Sequence, residues 1–247
     1  VRPGAVVHVQ ASLRALGPVP GGAATVVDAL LHALDAPARG TLVAYTATPE
    51  NSATSRIHAA ATAGLSPSQL DAYRSGMPPF DPATTPCSET MGALSEHIRT
   101  RAGARRSSHP QTSFAALGAL AREITRTHEL TSHLGPDSPL GRLYDLDAQV
   151  VMIGVPMSRF TAFHLADQRM PDVPLREYRC AGPQGWISFK APDLDDLHFA
   201  ELGSEVLREA VGVTERRIGG ARCRLVPVRE AVDLATDILH RRRGTAV

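Results

Sequence analysis

The sequence predicts an α/β sandwich built on a partly antiparallel sheet, and three observations carry that prediction. Short apolar runs such as "GAVVHVQAS" and "AQVVMIGV" read as buried strands. Helical patterns such as "AATVVDALLHAL" alternate with the early strands. Beyond Gly154 the pattern turns to hairpin-like strands, which introduces antiparallel pairing.

Taken in order, "GAVVHVQAS" is a first strand and "SLRALGPVPGG" the Gly/Pro-rich loop after it. "AATVVDALLHAL" is a helix and "GTLVAYTATP" a second buried strand. Residues 51–81 are polar, helical in patches and broken by "SGMPPFDP", so they read as an insertion projecting from the core. "ETMGALSEHIRT" is a helix, "ARRSSHPQTSFAALG" a loop leading to a short strand, and "GALAREITRTHEL" a further helix. "SPLGRLYDLDA" leads into the central strand "QVVMIGV". "WISFKAPDL" suggests strand pairing, "FAELGSEVLREA" is a helix, and "VREAVDLATDILHRRR" is a final amphipathic helix.

With 247 residues the chain has room for a substantial core. A net charge of +1 and the lack of long like-charge blocks argue against nucleic acid as a partner; Arg241 to Arg243 read as a solvated helix end. The apolar runs are too short to span a bilayer, and no signal-peptide pattern is visible. Three widely spaced cysteines, Cys87, Cys180 and Cys223, argue against a disulfide framework and against a zinc cluster, and point to a reducing cytoplasm.

Three segments hold candidate chemistry. The Ser12 to Gly22 loop lies between a strand and a helix, where backbone amides receive phosphates or a cofactor's polar spine. It matches neither a Walker A nor a dinucleotide fingerprint, and a plain connector is an equal reading. "RRSSHPQTS" gathers Arg105, Arg106, Ser107, Ser108, His109, Thr112 and Ser113, which suits a phosphate-bearing cofactor or a merely solvated loop. In "GVPMSRFTAFHLADQRM", Thr161, His164 and Asp167 are spaced by three. Thr161 reads as a helix N-cap, and His164 and Asp167 share one face one turn apart. That is either a general base with its orienting carboxylate or a helix start with a surface ion pair.

"VHVQASLRALGPVPGGAATVVDAL", "MPPFDPATTP", "RRSSHPQTSFAALG", "LGPDSPLGRLYDLDAQVVMIGV" and "TAFHLADQR" occur in an order that resembles the aminoglycoside 3-N-acetyltransferase family, the antibiotic N-acetyltransferases unrelated to the GNAT fold. "DLDDLHFAELG" and "CRLVPVREAVDLA" extend the likeness over nearly the whole chain. The resemblance implies one domain over 1–247, a three-layer α/β/α sandwich with a mixed, partly antiparallel central sheet, and a cleft between cofactor and acceptor halves. Residues 51–81 become a substrate-side insertion. It also implies acetyl-CoA as the acyl donor, no metal, and an aminoglycoside-like polyamine acceptor taken by a cytoplasmic monomer or homodimer. The implied donor contacts are Ser12, Leu13, Arg14, Gly17 and Val19 on the first loop, and Ser107, His109 and Ser113 on the second. His164 falls on the family's "H-x-A-E" histidine and Thr161 on the threonine before it, with Asp167 where the family usually has Glu.

On this reading His164 is the base, oriented by Asp167, with Thr161 donating to the oxyanion. Asp167 is expected to raise the histidine's pKa. Glu50, Asp81, Asp195 and Asp196 are expected to form an acidic cleft whose capture of a polycation weakens with salt. The rivals are an N-acyltransferase acting on an amine or amino-sugar intermediate of secondary metabolism and a non-catalytic CoA-binding protein. A hydrolase lacks support, since no G-x-S-x-G elbow accompanies the histidine.

Overall fold

A computed structural model describes residues 1–244. In chain order the elements are β1 (Val6–Ala11), α1 (Leu13–Leu16), α2 (Gly22–Leu34), β2 (Thr41–Tyr45), α3 (Arg56–Ala61), α4 (Pro67–Ser75), α5 (Gly92–Arg99), β3 (Arg105–Arg106), β4 (Phe114–Gly118), α6 (Ala121–Thr125) and α7 (Pro139–Asp145). They continue with β5 (Gln149–Ile153), α8 (Phe163–Asp167), β6 (Leu175–Gly182), β7 (Gly185–Pro192), α9 (Phe199–Glu209), β8 (Thr214–Ile218), β9 (Ala221–Pro227) and α10 (Val228–Gly244). Seven strands form one mixed sheet in the order β3-β4-β2-β1-β5-β9-β8. Only β1 is parallel to its neighbours: Val9 lies opposite Ala44 of β2 and Val151 of β5. The β2–β4, β3–β4, β5–β9 and β8–β9 pairs are antiparallel.

The central strands carry apolar side chains on both faces, as a doubly covered sheet requires. Val7, Val9, Leu42 and Ala44 pack on Val27 and Leu34 of α2 and Leu94 and Ile98 of α5. Val6, Val43, Val150 and Met152 face the opposite way, onto residues of α6 to α10 such as Ile124, Leu143, Phe163, Leu202 and Val232. Two helical layers therefore enclose the sheet, as the three-layer expectation states. No helix among the described residues is long and apolar enough to cross a membrane.

Five-residue α8 is too short to hold itself together. Phe163, fully buried, anchors it, with ring centroids 4.9 Å from Phe160 and 5.4 Å from Phe199. Removing such a ring typically costs about 3–5 kcal/mol.

Three expectations are corrected and one hairpin is new. The stretch after Gly118 is helical only over α6, because His128 turns inward and its ring bonds both Ser107 Oγ and the His133 carbonyl. The β8–β9 hairpin escapes the sequence reading, since every residue of β8 is exposed and no apolar alternation marks it. Residues 51–81 do not simply project. Phe80 is buried, Trp186 Nε1 donates to Arg74 O at 3.1 Å, and Ala53 N donates to Arg179 O at 2.9 Å. The segment and the separate β6–β7 hairpin thus brace each other, as a two-stranded sheet alone is only marginally stable. The arginines ending α10 are not merely solvated: Arg241 pairs with Glu209 and Arg242 with Glu205, both on α9.

Candidate active site

Parallel pairing turns the C-terminal ends of β1, β2 and β5 toward one edge of the sheet. From β1 the chain goes to β2 on one side and later to β5 on the other, the kind of switch point at which α/β sheets open a crevice. Here the crevice is a cleft of about 1210 Å³. Gln10 from β1 and Tyr45 from β2 line it, with Ser12, Leu13 and Arg14 on one wall and Arg159, Thr161 and His164 beyond β5. Arg176 and Tyr178 of β6, and the 193–197 segment, form the far side. The wall at α1 is tightly built: Gly154, at φ +64°, leaves no room for a side chain, since a Cβ there would stand 2.3 Å from that of Ala15.

Thr161 is not the N-cap of α8. Ala162 holds that position, and Thr161 Oγ1 instead accepts a hydrogen bond from Gln10 Nε2 at 2.8 Å. The threonine's own proton has Arg159 O as its acceptor at 3.5 Å, the outer limit of a hydrogen bond. Gln10, absent from the sequence reading, also donates to Arg159 O at 2.5 Å and so ties the end of β1 to the start of the α8 segment. A visible signal was its alternation with His8 as a polar residue within an apolar strand.

His164 lies on the cleft wall, 9% exposed, with its ring 4.8 Å from that of Phe199. Burial lowers its pKa to about 4, outweighing the carboxylates of Asp167 and Asp196, which favour the charged ring. The expected upward shift is therefore reversed. Asp167 Oδ2 is 4.0 Å from His164 Nδ1, beyond a hydrogen bond, while Asp167 Oδ1 accepts from His198 Nε2 at 2.8 Å. The carboxylate expected to orient His164 thus bonds a different histidine.

The two cofactor-side loops fare differently. Ser12, Leu13 and Arg14 line the cleft, whereas Gly17, which ends α1, and Val19 do not. Ser107, His109 and Ser113 are fully buried and bonded within the scaffold, away from the cleft lining. Ser107 Oγ accepts from Phe114 N, and Ser113 Oγ donates to Thr46 O, each at 2.9 Å. His109 Nδ1 accepts from the backbone of Gln111 and Thr112, at 3.1 and 3.2 Å. These side chains shape the loop, and Gln111 is its residue on the cleft wall.

Of the four expected acceptor carboxylates, only Asp196 lines the cleft. Glu50 accepts from Ser88 Oγ at 2.5 Å. Asp81 caps its own turn through Ala83 N and Thr84 Oγ1, which hold its pKa below the usual carboxylate value. Asp195 Oδ1 accepts from Leu197 N at 3.0 Å. Asp193, missed in the sequence, joins Asp196 on the wall, and each is paired with an arginine: Arg176 at 3.5 Å and Arg56 at 3.0 Å.

A layered α/β fold with a crevice at its strand ends, lined by polar side chains and a buried histidine, defines the site of a small-molecule enzyme. The family model for aminoglycoside 3-N-acetyltransferase matches residues 8–240, and the chain belongs to that family. Aminoglycoside N(3)-acetyltransferase III of Salmonella sp. is 34% identical over 194 residues, which cover 78% of this chain and 62% of the relative. The match thus spans less than two thirds of that relative's length. The crystal structure of the YokD protein from Bacillus subtilis superposes with a TM-score of 0.88 at 30% identity, over 96% of this chain and 87% of that one. AAC-VIa bound to sisomicin gives 0.82 at 26% identity, over 98% and 93%. AAC-IIIb in a binary complex with CoASH gives 0.80 at 28% identity, over 98% and 91%.

Behind the cleft stands a cluster of buried histidines. The ring of His109 is 4.8 Å from His128 and 4.5 Å from His133, which in turn is 4.3 Å from Tyr178. Burial lowers the pKa of His128 to about 4, of His133 to about 3, and of His8, under the sheet, to about 4; His109 is also held well below its usual value. The unfolded chain therefore takes up protons first as pH falls below about 6.5. Their contribution to stability is complete above that pH and lost on the way to pH 4. We predict a thermal midpoint that falls steeply between pH 7 and pH 5 and is raised toward its neutral value by His128→Asn at pH 5. An unchanged midpoint over that interval would contradict the buried, neutral assignment.

Proposed function

We propose that this protein is an acetyl-CoA-dependent N-acetyltransferase acting on the 3-amino group of a 2-deoxystreptamine aminoglycoside, in resistance or self-protection. The observation that carries the proposal is His164, a neutral imidazole on the wall of a cleft at the strand switch point. Family membership and the likeness to structures holding CoASH and sisomicin support the donor and the acceptor. The free thiols of Cys87, Cys180 and Cys223 suit a cytoplasmic setting.

The residues present fit the donor. Arg14 and Arg159 put two guanidinium groups on one cleft, suited to an anionic diphosphate, and Ser12 and Leu13 line the same wall. Gln10 Oε1, buried without a protein partner, leaves one polar atom beside it for a ligand's hydrogen-bond donor. Acetyl-CoA supplies an acyl carbon activated by a thiolate leaving group.

His164 keeps its lone pair at neutral pH because burial holds it uncharged. The acceptor reacts as its free amine, having left its first proton to solvent; as its nitrogen bonds to the acyl carbon it becomes strongly acidic, so even a weakly basic imidazole takes the second proton. Asp167 and Asp196 then favour the imidazolium. As the C–S bond breaks, that proton passes to the departing sulfur and His164 is restored. Thr161, accepting from Gln10, can turn its own proton toward the oxyanion, a contribution commonly worth about 3 kcal/mol.

One observation favours the second acceptor class, an amine or amino-sugar intermediate of secondary metabolism. Asp193 and Asp196 already hold Arg176 and Arg56, so an entering ammonium must displace an arginine. Both pairs are solvent-exposed, and breaking each costs about 1 kcal/mol or less.

Three outcomes test this reading. Thiol release from acetyl-CoA should be stimulated by an aminoglycoside. His164→Ala should lower kcat by roughly 10²–10⁴-fold with donor affinity unchanged by calorimetry. Arg56→Gln should lower KM for a polycationic acceptor by up to about 5-fold and leave kcat alone. A monoamine preferred over every polycation, with no salt effect on its KM, would move the acceptor to the second class.

A further inference from the structure

His198 stands just before α9 and is part of neither the sequence-derived site nor the cleft lining. Its Nε2 donates to Asp167 Oδ1 at 2.8 Å, while the other carboxylate oxygen stops 4.0 Å from His164 Nδ1. Phe199 fills the space against both imidazoles, its ring 5.0 Å from His198 and 4.8 Å from His164. One carboxylate and one phenyl ring are therefore shared by two histidines of unlike exposure: the His198 side chain is 30% exposed and that of His164 is 11%.

We infer that His198 is a positioning residue for the acetyl transfer: it fixes Asp167 and, when protonated, offsets the carboxylate charge that would otherwise support imidazolium at His164. The inference rests on the reading of His164 as the base. The hydrogen bond to Asp167 raises the pKa of His198 while burial lowers that of His164, so of the two His198 takes up a proton first as pH falls. The groups around it are Asp167 on α8, Asp195 on the preceding segment and Arg242 on α10. Around His164 they are Asp167, Asp195, Asp196 and His198, with His133 from the loop before α7. Among these, His198 is the group in direct hydrogen-bond contact with Asp167, the carboxylate 4.0 Å from His164. It lets a base stay neutral next to an aspartate and still find a carboxylate at hand when it takes a proton.

The test separates charge from position. His198→Gln keeps a hydrogen-bond donor for Asp167 and removes the charge; His198→Ala removes both. With His198→Gln, the titration of His164, followed by its ring-proton NMR signal, should move up by about half a unit to one unit. With His198→Ala, kcat should fall about 10-fold with KM for acetyl-CoA unchanged, and Asp167→Glu in the same chain should restore it, because the longer carboxylate reaches His164 unaided. An unmoved His164 titration in His198→Gln, or no rescue by Asp167→Glu, would overturn the inference. The titration reads the coupling whether or not any amine is acetylated, whereas a fully active His164→Ala enzyme would remove the base assignment itself.

Discussion

Because β1 is paired in parallel along both of its edges, most of the remaining architecture has little freedom. A parallel neighbour cannot follow through a tight turn, so the chain must cross over, and the crossovers become the helices that cover the sheet. Covered on both faces, the central strands must be apolar on both sides, as Val6, Val7 and Val9 are. The same pairing sends three strands to one edge, where their outgoing loops diverge and leave the cleft. The antiparallel strands β4 and β9 extend this centre outward without changing where the cleft opens.

At that edge the dominant electrostatic effect is desolvation. His164 has carboxylates close by, yet burial against Phe199 outweighs them and keeps the ring neutral. Gln10 donates to Thr161 and so ties its hydroxyl to the end of β1. The far wall follows another rule, since Asp193 and Asp196 are each paired with an arginine. His164 and the far wall thus use opposite means, one excluding charge and the other pairing it.

The sequence reveals the parts of this design that depend on local pattern. β1, β2 and β5 are mostly apolar runs, interrupted in β1 by His8 and Gln10, and His164 is visible because it follows one of them at a helix start. What depends on distant partners is hidden. Asp167 reads as the mate of His164 three residues away, but the residue it binds lies 31 positions on. The polar density of Ser107, His109 and Ser113 reads as a ligand loop, whereas those side chains satisfy backbone groups of the same fold. Within the β8–β9 hairpin, β8 is an exposed edge strand without apolar alternation, and the signals left are the Gly219-Gly220 pair at the turn and the alternation of Ala221 and Cys223 with Arg222 and Arg224 in β9.

The central claim is that His164 waits in the free enzyme as a neutral, buried base. The measurement that tests it most directly is the titration of its imidazole ring protons by NMR in the unsubstituted protein, assigned by loss of the signal in His164→Gln. The account places the midpoint near pH 4, well below an exposed histidine. A midpoint at or above about 6.5 would show a solvated or carboxylate-supported ring and contradict it.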